Sequence, residues 1–118
     1  MGIIQTGPGS PLAFSSASGG KIRAFNNISA GPPTLVLPAN PSRQSLTFHN
    51  PGTIDIFVYP AADAGGVPLN PNTNSLGGCF RVYANGATTM ITGECQQAWY
   101  AFSVTGNLNP FTTMESNV

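Results

Sequence analysis

The sequence predicts an all-β fold, an antiparallel β-sandwich, and three observations carry that expectation. Eleven prolines and fourteen glycines in 118 residues cut every candidate helix short. No window sustains the apolar period of an amphipathic helix. In its place, short runs rich in β-branched and aromatic residues alternate with turn residues, the pattern of a sandwich or barrel.

Eight runs are the expected strands: Ile22–Phe25, Thr34–Leu37, Ser45–Asn50, Ile54–Tyr59, Cys79–Ala84, Ala87–Thr92, Gln97–Thr105 and a last one near Phe111–Met114. Before them, residues 1–20 are Gly/Ser/Pro-rich and read as an extended N-terminal arm; residues 21–118 form the sandwich domain. Ile3, Ile4, Leu12 and Phe14 interrupt that arm. A purely flexible linker gains nothing from large apolar side chains, so these four are the candidate docking residues, onto a partner or back onto the domain itself.

The stretch RQSLTFHNPGTIDIFVYPA, Arg43 to Ala61, places two apolar alternating runs around an Asn-Pro-Gly corner. A two-residue Pro51-Gly52 hairpin would put Leu46 and Phe48 on the side of the sheet opposite Ile54, Ile56 and Val58. The favoured solution is a corner, Asn50 to Thr53, that carries the chain from one sheet to the other and lets both sets meet in one core. Asn85-Gly86, between FRVY and ATTMI, is the dipeptide of a type I′ hairpin. That hairpin would pair Tyr83 with Thr88, Val82 with Thr89, Arg81 with Met90 and Phe80 with Ile91, with Phe80, Val82, Thr89 and Ile91 facing the core. The Pro/Asn/Gly-rich segment from Pro60 to Gly78 reads as a surface loop crossing one end of the sandwich.

Composition removes several functional classes. Charged residues are 7% of the chain and sum to zero, against about 25% in ordinary soluble proteins. With no basic run, neither a nucleic acid nor an anionic membrane has an electrostatic handle. No stretch approaches the roughly 20 apolar residues of a membrane span. The first residues lack the basic and apolar regions of a signal peptide, so Cys79 and Cys95 are expected as reduced thiols rather than a bridge. A neutral exterior of amides and hydroxyls repels nothing and suits association with other protein, because interface cores are depleted in charge. A sandwich kept soluble by those same groups is the plainer alternative.

No catalytic or metal constellation emerges. His49 is the single histidine, and alternation places it opposite Phe48, on the outward face. No nucleophile elbow accompanies it, and the four acids are dispersed. Cys79, Cys95 and His49 lack zinc-ligand spacing, and the SASGGK stretch lacks that of a phosphate loop. Thus no catalytic residue, metal or cofactor is expected. In AWYAF, Tyr100 and Phe102 alternate with Trp99 and Ala101; Trp99 and Tyr83 are the candidate exposed aromatics, unless Trp99 lies in a central strand buried on both faces.

Together, RQSLTFHNPGTIDIFVYPA at 43–61, GECQQAWYAFSVTGN at 93–107 and FTTMESNV at 111–118 resemble small decoration (cement) proteins of tailed-bacteriophage capsids. The likeness runs from about residue 34 to 118 and leaves the arm aside. It implies a jelly-roll sandwich on the outer capsid surface of the virion, assembled in the host cytoplasm. Such a protein self-associates as a dimer or trimer and bridges major capsid subunits against the pressure of packaged DNA. Ile3, Ile4, Leu12 and Phe14 would be its partner contacts. The alternative is a carbohydrate-binding module, on the capsid or a tail, that stacks a glycan on Trp99, Tyr83 or Tyr59.

Overall fold

The computed structural model describes residues 20–90 and 93–117. Within them are eight strands: β1 (Gly20–Ile28), β2 (Thr34–Leu37), β3 (Arg43–Asn50), β4 (Ile56–Pro60), β5 (Phe80–Val82), β6 (Gly86–Met90), β7 (Trp99–Ser103) and β8 (Asn109–Asn117). A single 3-10 turn, Gly93–Gln96, leads into β7, and no α-helix occurs among the described residues. The strands form two four-stranded antiparallel sheets that pack face to face, in the orders β1-β8-β3-β6 and β2-β7-β4-β5. The protein is therefore an all-β antiparallel sandwich. Every expected run contains a strand, with boundaries moved by a few residues. Gly20, the last residue of the expected arm, opens β1 opposite Ser116.

The pairing has a simple order. β1 pairs with β8, β2 with β7, β3 with β6 and β4 with β5, all antiparallel. The chain is thus a ribbon of strand pairs rolled across two sheets.

Alternation explains which side chains meet between the sheets. Leu46 and Phe48 of β3 point inward with Phe111 of β8, against Ile56 and Val58 of β4 and Trp99 of β7. Phe48 packs at 5.3 Å on Trp99 and 5.8 Å on Phe111, centroid to centroid, in the tilted and offset geometries that aromatic quadrupoles prefer. Burying each such side chain contributes about 2–3 kcal/mol.

The corner expected at Asn50–Thr53 is present, since β3 and β4 lie in different sheets. Asn50 holds it: Nδ2 donates to the carbonyls of Ile54 (2.8 Å) and Val82 (3.1 Å), while Oδ1 accepts from the Gly52 amide (3.0 Å).

The Asn85-Gly86 hairpin is corrected. β5 and β6 belong to different sheets, and Gly86 instead pairs with Asn50 of β3. The Gly86 amide donates to the Tyr83 carbonyl (2.8 Å), so the turn spans 83–86 with Asn85 in its third position at φ 57°. A positive φ there is the mark of a type II turn, not the doubly left-handed I′ turn of a hairpin. A Cβ on Gly86 would lie 2.9 Å from the Tyr83 oxygen, which explains the glycine. Val82 faces the core as expected, and Phe80 packs on the core Trp99 although it is exposed at the edge of its sheet; on β6 the faces invert, with Thr88 opposite Phe48 and Thr89 exposed. Ile91 lies outside the described residues.

The long β4–β5 loop is also placed differently from expectation. It does not merely cross an end, because Leu69 packs on a second apolar layer, Phe57, Tyr59 and Phe102, on the outer face of the second sheet. Hydrogen bonds of Ala62 with the Gln97 side-chain amide pin the loop to the chain just before β7.

Candidate functional site

Two of the eight charged residues, Arg43 and Glu115, are buried among the described residues. Arg43 is fully buried at the start of β3, where a bulge between Arg43 and Ser45 turns it inward. Its Nε donates to Glu115 Oε1 (3.1 Å), and its Nη atoms donate to the carbonyls of Cys95 (2.6 Å), Gln97 (3.0 Å) and Pro38 (2.7 Å). Glu115, buried on β8, also accepts from Arg23 of β1 and from Asn40 (2.9 Å). Burial pushes the Glu115 carboxyl up, but the hydrogen bonds from Arg23, Asn40 and Arg43 outweigh it and hold the group below its ordinary range. This cluster ties β1, β3 and β8 to the loops before β3 and β7. On the surface, Arg81 donates to Asp55 through Nε (2.9 Å) and Nη2, and Asp55 also accepts from the Ala84 amide, which together lower its pKa. Five of the eight charged residues are therefore engaged in ion pairs. The outer surface is close to electrically neutral.

One end of the sandwich is the clearest contact surface. Four connections meet there, residues 29–33, 51–55, 83–85 and 104–108, and Asp55 is their one charged residue. They are stitched together: the Ala30 amide donates to the Gly106 carbonyl (2.9 Å), the Ser103 amide to the Ser29 carbonyl (2.9 Å) and the Asn85 amide to the Gly52 carbonyl (3.1 Å). Asn109 adds bonds to the Ile28 and Thr105 carbonyls and the Ser103 hydroxyl. On this rigid end Leu108 (75% exposed), Tyr83 (62%) and Val104 (47%) face solvent. The outer face of the first sheet adds a flat row, Ile22, Met114, Thr47 and Thr89, joined across four strands.

The sequence candidates separate. Tyr83 is exposed as expected, with the Arg81 guanidinium 4.7 Å from its ring centroid. Trp99 is not an exposed contact: β7 is a central strand and the indole is fully buried between the sheets, packed by Phe48 and Phe80. Tyr59, the other aromatic considered, is buried on the outer aromatic layer and stacks on Tyr100 at 5.5 Å. Ile3, Ile4, Leu12 and Phe14 lie outside the described residues. His49 points outward, as its position predicts. Among the described residues no three His, Cys, Asp or Glu side chains gather where they could hold a metal ion. Burial pushes the Cys79 thiol up to about 11, while Cys95 lies in the core on the opposite side of the second sheet. Val104 and Leu108 were missed by sequence reasoning. For Leu108 the signal was the TGNLNP stretch, where a large aliphatic sits among turn residues; Val104 fell inside the expected strand Gln97–Thr105, whereas β7 ends at Ser103.

Comparisons with protein-family models, curated proteins and solved structures found no match to this chain.

Proposed function

We propose that this protein is a capsid decoration (cement) protein that binds the outer surface of a tailed-bacteriophage head and bridges neighbouring major capsid subunits. The carrying observation is a charge-poor, net-neutral chain in which five of the eight charged residues are ion-paired, while Leu108, Tyr83 and Val104 are presented together on one hydrogen-bonded end. Interfaces favour such surfaces, and repeated weak contacts on a lattice add up multivalently. The strand order supports reading the sandwich as a jelly roll, an arrangement found in viral capsid and lectin domains. Fold alone assigns no activity, so the reading leans on the surface. The arm, with Ile3, Ile4, Leu12 and Phe14, acts as a tether, and the protein works as a dimer or trimer in the virion.

The test is co-sedimentation of the purified chain with phage heads stripped of decoration, with light scattering for its oligomeric state. Saturable binding that is lost on deleting residues 1–19, and weakened by Leu108→Asp, is the expected result. A monomer that ignores the heads overturns the reading. Binding of the chain to a glycan array, abolished by Tyr83→Ala, replaces it with the carbohydrate-binding module.

A further inference from the structure

The outer face of the first sheet carries no fixed charge among the described residues. Alternation turns Lys21 and Arg23 of β1 to the core-facing side with Phe25, and Glu115 of β8 goes the same way. What points outward is the row of Ile22, Met114, Thr47 and Thr89 and, one step along, the registered row of Ala24, Thr112, His49 and Ala87. Neither row holds an Asp, Glu, Lys or Arg. Ile22 is 71% exposed and Met114, its direct neighbour, 45%. A sheet face that meets only water carries polar and charged groups. Here two large apolar side chains stand together among alanines and threonines.

We propose that this face is the contact between two copies of the chain, packed sheet on sheet about a twofold axis. The inference rests on the self-association in the capsid reading, for which it names the face and the number of copies. Charge selects a second copy as the occupant. A twofold contact sets one patch against itself, so a fixed charge near the axis meets its own like, at a cost of several kcal/mol. This face is free of that conflict. Arg81, by contrast, stands on the outer face of the second sheet, and Asp55 at the end that presents Leu108.

Size agrees. The four strands hold nine, nine, eight and five residues. At about 4.8 Å between strands and ~3.3 Å per residue, the face measures roughly 19 by 26 Å. Two such faces cover about 1,000 Å² in flat projection, which reaches the lower bound of a specific interface. Shape agrees too. Ala24, Ala87 and the threonines are short, so two sheets approach to the ~10 Å of a sandwich core. Ile22 and Met114 then lose the water they now face.

The experiment follows the purified full chain by analytical ultracentrifugation, without phage heads. Its mass should rise with concentration from 12.2 kDa to twice that value and no further. Thr47 lies on β3, one of the two inner strands of the sheet. Thr47→Glu and Thr47→Lys should each weaken the dimer on the order of a hundredfold by like-charge repulsion. Mixed in equal amounts, the two variants should dimerise more tightly than either alone, a rescue that misfolding cannot produce. His49→Glu with His49→Lys repeats the test one row away. Val67→Glu, on the exposed β4–β5 loop, should leave the dimer intact. A dimer that ignores phage heads removes the capsid reading and leaves this one standing. A monomer or trimer, undisturbed variants, a mixture no tighter than its components, or a dimer broken equally by Val67→Glu overturns it. So does a chain that dimerises only once residues 1–19 are deleted, because that segment then occupies the face.

Discussion

Arg43 Nε sits 3.1 Å from Glu115 Oε1, both side chains buried, although the residues are 72 positions apart. The pair joins β3 to β8, and the other Arg43 nitrogens bind the chain before β7. A buried guanidinium is tolerable only because its N–H groups find acceptors. Removing either partner leaves an uncompensated charge, so Glu115→Ala should destabilise the domain by about 3–5 kcal/mol. Chemical denaturation measures this directly. A loss below 1 kcal/mol would mean that the carbonyl contacts alone satisfy Arg43.

Acid should weaken the fold through the same residue. The folded Glu115 carboxyl is held below its ordinary value, about 4.3 in an unfolded chain. The stabilisation is therefore fully present above that pH. It is lost as pH falls toward the lower folded value, because the unfolded chain takes up the proton first. Urea midpoints measured from pH 7 down to pH 3 should fall, and Glu115→Gln should flatten the fall. Asp55 shifts in the same direction but is solvent-facing, so Asp55→Asn should flatten it less.

Asn50 links the two sheets at the β3–β4 corner. Asn50→Ala removes its bonds to Ile54, Val82 and Gly52 and leaves the buried Val82 carbonyl without that donor. The expected loss is about 2–3 kcal/mol. Asn50→Asp should be at least as damaging, since a carboxylate offers no donor to either carbonyl. Thermal melts of the two variants would expose an error if Asp were tolerated.

Thr113 Oγ1 is buried with no hydrogen-bond partner among the described residues. Thr113→Val keeps the shape and deletes the desolvated hydroxyl, so it should leave stability unchanged or raise it by about 1 kcal/mol. A melting temperature several degrees lower would reveal an unseen partner for that oxygen.

Trp99 is the chain's single tryptophan and is fully buried. Its emission should be blue-shifted, protected from acrylamide and indifferent to added sugars. Ready quenching in the folded state would contradict the sandwich packing.

Much of the fold was legible along the chain. Alternation and turn chemistry are local, so the strand runs, the outward His49 and the sheet-switching corner at Asn50–Thr53 follow from order and spacing. The Asn85-Gly86 turn was misread because the same dipeptide serves a type I′ hairpin and the last two positions of a type II corner. Which one forms depends on where the next strand finds its partner: Thr88 opposes Phe48, not Tyr83. Trp99 could not be assigned a face because β7 is covered on both, by the opposing sheet and by the aromatic layer beneath Leu69.

The ionic cluster divides the same way. Glu115 shares the parity of Phe111 and Thr113, so its inward direction was readable. Arg43 shares the parity of the outward Thr47 and His49, and only the bulge before Ser45 turns it to meet Glu115. Linear order therefore determined the all-β character, the strands and the scarcity of charge, since each depends on neighbouring residues or on totals. Tertiary structure alone decided the strand partners, the burial of Trp99 and Arg43 and the apolar end of Leu108, Tyr83 and Val104. Those depend on contacts between segments far apart in the chain, whose register a single extra residue can invert.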